Sequence, residues 1–201
     1  MTVVEQVTEL FLRRGGRRWT DAVLTECDHA LQAAALAAED SAPHSLVVAA
    51  LFHDVGRIIA NPVDDLAGLF SDDNHETVGA RWLATLFGPD VSEPVRFHVT
   101  AKRYLCAVHP GYLETLSSAS MTTLVCQGGP SLHDRIRAFE AERYFASAIS
   151  LRRYYDGANV PRRGVPPLEH YTPASKACCS AQWLDLPRKR GGPSVGERAG
   201  A

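Results

Sequence analysis

The chain has 201 residues, a formal charge of −2, and 45% hydrophobic against 22% charged residues, which is the profile of one ordinary globular domain with a substantial core. That balance excludes the basic surface nucleic acid requires, and no apolar run approaches the ~18 residues of a membrane span. Met1 to Leu12 scatters Glu5, Gln6 and Glu9 among its apolar residues. It does not follow the basic-then-apolar order of a secretory signal, so a cytoplasmic protein is expected.

Helical periodicity dominates from the start, and strand-like alternation is nearly absent. Val3 to Arg14 reads as a first helix, stopped by Gly15-Gly16. Thr20 is the expected cap of an Ala- and Leu-rich helix reaching Glu39. Ser45 opens an apolar helix, Leu46 to Phe52, which closes at His53-Asp54-Val55-Gly56. Asn61 to Asp73, with Pro62, Gly68 and several Asp, reads as a loop. Asn74 is the expected cap of a helix from His75 to Phe87, and Ser92 of another from Glu93 to Leu105. Short helices follow Pro110-Gly111 up to Gln127. Ser131 and Asp134 have capping-box spacing, and helix runs on to Asp156 with a break near Phe139. The prolines at 161, 166, 167 and 173 end regular helix. The reading is therefore an all-α domain over residues 1–173, with residues 174–201 as a disordered tail. The five cysteines, Cys27, Cys106, Cys126, Cys178 and Cys179, form no CxxC pair and no regular spacing, so reduced thiols are expected rather than a disulfide framework or a thiolate metal site.

The residues that promise chemistry begin with His53-Asp54 at the end of the apolar helix. A carboxylate beside such a run is costly to bury unless something compensates it, and a metal ion is the simplest compensation. An Asp can bridge two metals through its two oxygens while the neighbouring His ligates one of them. His29 sits mid-helix among Ala30, Ala33 and Ala34, small residues that let other helices approach. His75 opens a helix beside Glu76, His98 lies mid-helix four residues before Lys102, and Asp156 closes the last convincing helix. Each histidine alone is more often an ordinary core or surface residue. Together they offer a set of nitrogen and oxygen donors that suits iron, manganese or zinc rather than copper(I) or an iron–sulfur cluster.

The order His29, His53-Asp54, Asp156 resembles the H…HD…D pattern of the HD superfamily, many of whose members are metal-dependent phosphohydrolases. Finer text is more specific: Val47 to Gly56 (VVAALFHDVG), Arg96 to Cys106 (RFHVTAKRYLC), Gln127 to Pro130 (QGGP) and Leu151-Arg152-Arg153. These resemble the HD-domain mixed-valent di-iron oxygenases of phosphonate catabolism, the family of 2-amino-1-hydroxyethylphosphonate dioxygenase. The resemblance covers roughly residues 5–173. It implies an HD-domain helical bundle with two iron ions on His29, His53, Asp54, His75, His98 and Asp156. It also implies O2-dependent cleavage of the carbon–phosphorus bond of an α-hydroxyphosphonate, giving a carboxylate and phosphate. His53, Asp54 and Lys102 would be catalytic, Lys102 and Arg153 would neutralise the phosphonate, and Ser120 and Gln127 would add hydrogen bonds.

The chain departs from that pattern around the substrate. Arg57 stands where the family usually places a second His, Trp19 where it has a Tyr, and Ala22 where an acid meets the substrate amine. The expected substrate is therefore an α-hydroxyphosphonate with a small, uncharged or anionic substituent, with Arg57 and Trp19 lining its seat. Two other readings remain open. One is a phosphohydrolase acting on a phosphate ester or nucleotide, with Mn2+, Zn2+ or another divalent metal in place of iron. The other is a catalytically inactive sensor or binding module that keeps the helical shell.

Overall fold

The computed structural model describes residues 8–11, 13, 16, 24–60 and 74–180. Most of the helix expected over Val3 to Arg14 lies outside them, as do Trp19, Thr20, Ala22, the loop 61–73 and the segment 181–201. Among the described residues the chain is helical, without a β-ladder; one isolated bridge pairs Phe87 with Cys179.

Helix α1, Glu26–Glu39, starts at Thr25 because Thr25 and Asp28 cap each other. The Asp28 amide donates to Thr25 Oγ1 at 3.0 Å, and the Thr25 amide donates to the Asp28 carboxylate at 2.9 Å. Its buried Ala30, Ala33, Ala34 and Ala37 present almost no side-chain bulk, so α2 and α9 can pack closely against it. Helix α2, His44–Phe52, is buried from Leu46 to Phe52 without a polar face, which places it at the centre of the molecule. After a turn at His53-Asp54 the chain resumes as α3, Val55–Ala60. Helix α4 is His75–Ala84, shorter than the expected run to Phe87, and its cap position, Asn74, is left-handed and makes no side-chain cap bond.

Helix α5, Pro89–Val108, is the longest. It begins at Pro89 rather than at Glu93, because Gly88 serves as N-cap and Pro tolerates the first turn, where its missing N–H has no partner to lose. Ser92 is therefore inside the helix. Helices α6, Tyr112–Thr115, and α7, Ser118–Cys126, follow. The expected Ser131–Asp134 capping box does not form: α8, His133–Glu140, has Leu132 at its N-cap and no side-chain cap bond. The break expected near Phe139 falls just after Glu140, and α9, Phe145–Gly157, completes the bundle against α1, α2 and α5.

Residues 174–180, expected to begin a tail, instead belong to the fold. A 3-10 turn, Leu168–Tyr171, runs into α10, Thr172–Ala177, and Ala174, Cys178 and Cys179 pack on the main core beside α2. Pro173 sits in the first turn of α10, where proline starts a helix instead of breaking it. All five cysteines are free thiols. No described helix is long and apolar enough to cross a membrane.

Candidate metal centre

The helices bring their polar residues to one buried point. His29 comes from α1, His53 from the end of α2, Asp54 from the turn after it, His75 from the first position of α4 and His98 from the middle of α5. His29, His53, His75 and His98 are each no more than 2% exposed and Asp54 is 7% exposed, so this is a polar knot inside an apolar bundle. Two overlapping groups able to hold a metal ion share Asp54: His29 with His53, and His75 with His98. Within each group the donor atoms lie within 4.8 Å of one another.

The second nitrogen of three rings is already committed. His29 Nδ1 lies 2.7 Å from the Ala158 carbonyl, His53 Nδ1 2.7 Å from the Ala50 carbonyl, and His98 Nδ1 2.8 Å from the Val95 carbonyl. A carbonyl can only accept, so each Nδ1 carries the proton and each Nε2 turns a lone pair toward the centre, the arrangement a metal-ligating His requires. Around the second group, His75 Nε2 lies 3.2 Å from both Asp54 Oδ1 and His98 Nε2. His75 Nδ1 faces the Glu76 carboxylate at 3.5 Å. Neither oxygen of Asp54 nor Nε2 of His53 makes a hydrogen bond, although all are buried. Uncompensated donors of this kind are costly. A pair of cations bridged by Asp54 would satisfy them, so these residues fit a dinuclear metal site.

The electrostatics agree. Burial, followed by the nearby His53 charge, pushes His29 down to about 3. Burial and the His75 charge depress His98 in the same direction, so both imidazoles are neutral and free to ligate. Burial alone would raise the Asp54 carboxyl, but His53, His75 and the Arg57 guanidinium hold it well below the usual carboxylate range. Arg57 itself reaches the centre, with Nε 3.7 Å from Asp54 and Nη2 3.5 Å from His75 Nε2.

Beside the knot two basic side chains are buried. Lys102, one turn along α5 from His98, is 2% exposed and donates to Thr123 Oγ1 at 2.9 Å. Burial first, then the charges of Arg152 and Arg57, lower its ammonium to about 7. Arg152, also 2% exposed, has Nη2 3.5 Å from Ser120 Oγ. Gln127, the C-cap of α7, is buried with its side-chain oxygen unbonded.

Two expectations on α9 need correction. Arg153 is exposed, and the arginine directed into the protein is Arg152. Asp156 does not join either donor group; its carboxylate is held by Arg152 and by the Tyr112 hydroxyl. The ring that reaches the histidines is Tyr155, centred 4.7 Å from His29, 5.0 Å from His53 and 6.0 Å from His98. A signal for this was present: Ala148, Leu151, Arg152 and Tyr155 follow the i, i+3, i+4, i+7 spacing of one helix face. Each expected residue was one position too late, and a one-residue step turns a helical side chain ~100° away.

With the geometry in place, sequence comparison decides the family. The chain is 40% identical over 177 residues, 87% of its own length and 88% of the relative's, to hydroxymethylphosphonate dioxygenase of Gimesia maris. The protein belongs to the hydroxyphosphonate dioxygenase family. It is also 33% identical over 176 residues, 85% of this chain and 87% of the other, to the glycine-betaine-forming (1-hydroxy-2-(trimethylamino)ethyl)phosphonate dioxygenase of Leisingera caerulea. No family model matches the chain. Membership makes it an enzyme with dioxygenase activity, and the buried His/Asp cluster is where a metal would act.

Proposed function

We propose that this protein is a cytoplasmic, iron-dependent dioxygenase that splits the carbon–phosphorus bond of a small α-hydroxyphosphonate, with hydroxymethylphosphonate as the model substrate. The observation that carries this reading is two donor groups sharing Asp54 together with the buried Lys102, Arg152 and Ser120. Arg152 is already paired with Asp156, whereas the buried Lys102 ammonium rests on the Thr123 hydroxyl, and a phosphonate dianion would supply its counter-charge. His29, His53, Asp54, His75 and His98 would hold the two ions. Iron there would supply the redox chemistry that couples O2 to bond cleavage. Atoms balance without water: R–CH(OH)–PO3(2−) and O2 give R–COO(−), HPO4(2−) and one proton.

The chain's own residues position the reactants. Lys102 and Arg152 anchor the phosphonate, and Ser120 adds a hydrogen bond. Because His98 and Lys102 sit one turn apart on α5, the anchored group is held beside the metal ligands and its hydroxyl-bearing carbon faces them. Arg57 fixes the substituent. Its permanent charge within 4 Å of Asp54 opposes an ammonium on the substrate and favours a hydrogen, a neutral group or an anion. That preference accords with the name of the Gimesia maris relative rather than with the trimethylammonium substrate named for the Leisingera caerulea one.

The test is phosphate release by iron-loaded protein from hydroxymethylphosphonate and from its aminomethyl and trimethylaminomethyl analogues. The expected order is the unsubstituted compound first. A preference for either cationic compound would overturn the substrate assignment.

A further inference from the structure

Helix α9 brings a phenol to the metal cradle. We propose that the phenolic oxygen of Tyr155 is the anionic donor that completes the ion site of His29, His53 and Asp54. This rests on the reading above that iron occupies the cradle, and goes beyond it by naming an oxygen ligand that neither the HD pattern nor a search for carboxylates supplies.

Three observations carry it. The Tyr155 ring stands edge-on to both histidines of that group, at 4.7 and 5.0 Å between centroids, and is 8% exposed. The same ring also lies 6.0 Å from His98 between centroids and carries the Arg152 guanidinium 4.0 Å over its face. The acid expected from α9 is engaged elsewhere: Arg152 Nε donates to Asp156 at 3.1 Å, and the Tyr112 hydroxyl donates to the same carboxylate. Finally, the charge is lopsided. Among the described residues the cradle offers one shared carboxylate, Asp54, to both groups, and the Arg57 guanidinium already stands 3.7 Å from it. A second negative donor offsets that excess. Tyrosinate is an established oxygen ligand of iron, and binding would release the phenolic proton to solvent, as metal binding does for other protic ligands.

The experiment uses the full chain loaded with iron(II) and oxidised to the all-ferric form with ferricyanide. Iron per chain is measured by elemental analysis, and the visible and resonance Raman spectra are recorded. A phenolate-to-iron(III) charge-transfer band is expected, with enhanced tyrosinate ring modes that shift when the protein is grown on ring-deuterated tyrosine. Tyr155→Phe should lose the band and hold about one ion rather than about two. Tyr155→Asp, which supplies a carboxylate, should hold both ions without the band, and Tyr112→Phe should keep the band. Ferric protein with two irons and no tyrosinate modes overturns the proposal alone, whichever variants fold. A band that survives Tyr155→Phe does the same. Protein that takes up no iron overturns the reading beneath it as well.

Discussion

In the proposed function Lys102 and Arg57 would set the charge that a substrate meets, and they respond differently to pH. Arg57 is a fixed cation. Lys102 is lowered from an ordinary 10.5 to about 7, so it is charged below about 7 and loses its proton as pH rises through that value. Attraction for a phosphonate dianion is then fully present on the acid side and fades above neutrality. In stability terms the sign is opposite: between about 7 and 10.5 the unfolded chain binds the extra proton, so this group opposes folding on the acid side and the opposition is relieved as pH rises. We predict that kcat/KM, which reports the free enzyme, falls above about 7 and that Lys102→Arg removes the fall. A profile unchanged by Lys102→Arg would exclude this role. Arg57→His should shift the ratio of kcat/KM for non-aminated over aminated substrate by ~10–100-fold toward the aminated one, the scale of a desolvated charge-assisted interaction; an unmoved ratio would remove Arg57 from the substrate seat. The five residues that meet around Asp54 were legible in the sequence only as a set, since each histidine and the His-Asp pair is ordinary when taken alone. The orientation of α9 was not, because Arg152-Arg153 and Tyr155-Asp156 each offer two adjacent candidates and only packing chooses between them.

The contact of α3 with α4 fixes where His75 stands beside Asp54. A Cβ on Gly56 would lie 1.9 Å from the His75 carbonyl oxygen and 2.8 Å from the Gly79 amide nitrogen. Neither backbone atom can yield without moving α4, and His75 is the first residue of that helix. Gly56→Ala should therefore cost at least the ~1–3 kcal/mol usual for overpacking and displace His75 from Asp54. Calorimetric melting together with iron per chain tests this, and a variant with unchanged stability and full iron content would contradict it. The sequence showed Gly56 only as part of the turn that ends α2, since a close approach between helices distant in sequence leaves no local trace. Elements with strong local cues were read well: the apolar α2, the Ala stripe of α1 and the break after Glu140. Helix starts were read poorly, because Thr25, Gly88 and Leu132 won the cap positions through tertiary placement rather than through propensity.

At the scale of the molecule, the described helices form an apolar bundle closed around Asp54, whose two buried oxygens make no hydrogen bond. Ions that bind only the folded chain stabilise it by mass action, about 2.7 kcal/mol at a hundredfold excess over Kd. For a chain of this length that corresponds to roughly 5–10 °C in Tm. Iron-loaded protein should melt higher than chelator-treated protein by that order, and equal melting temperatures would argue against a metal in the cradle. The all-α class and the family were legible because the RFHVTAKRYLC and HDVG blocks combine ligands with a specific helical context. The extent of the folded part was not, since Pro173 reads as a breaker and yet starts α10. In the proposed reaction O2 is consumed in breaking the carbon–phosphorus bond. This is tested most directly by turnover of hydroxymethylphosphonate under 18O2, with mass spectrometry of both products. One labelled oxygen is expected in the carboxylate and one in the phosphate, with no phosphate release without O2. Phosphate that continues to appear under anaerobiosis, or products that take their new oxygen from water alone, would contradict it.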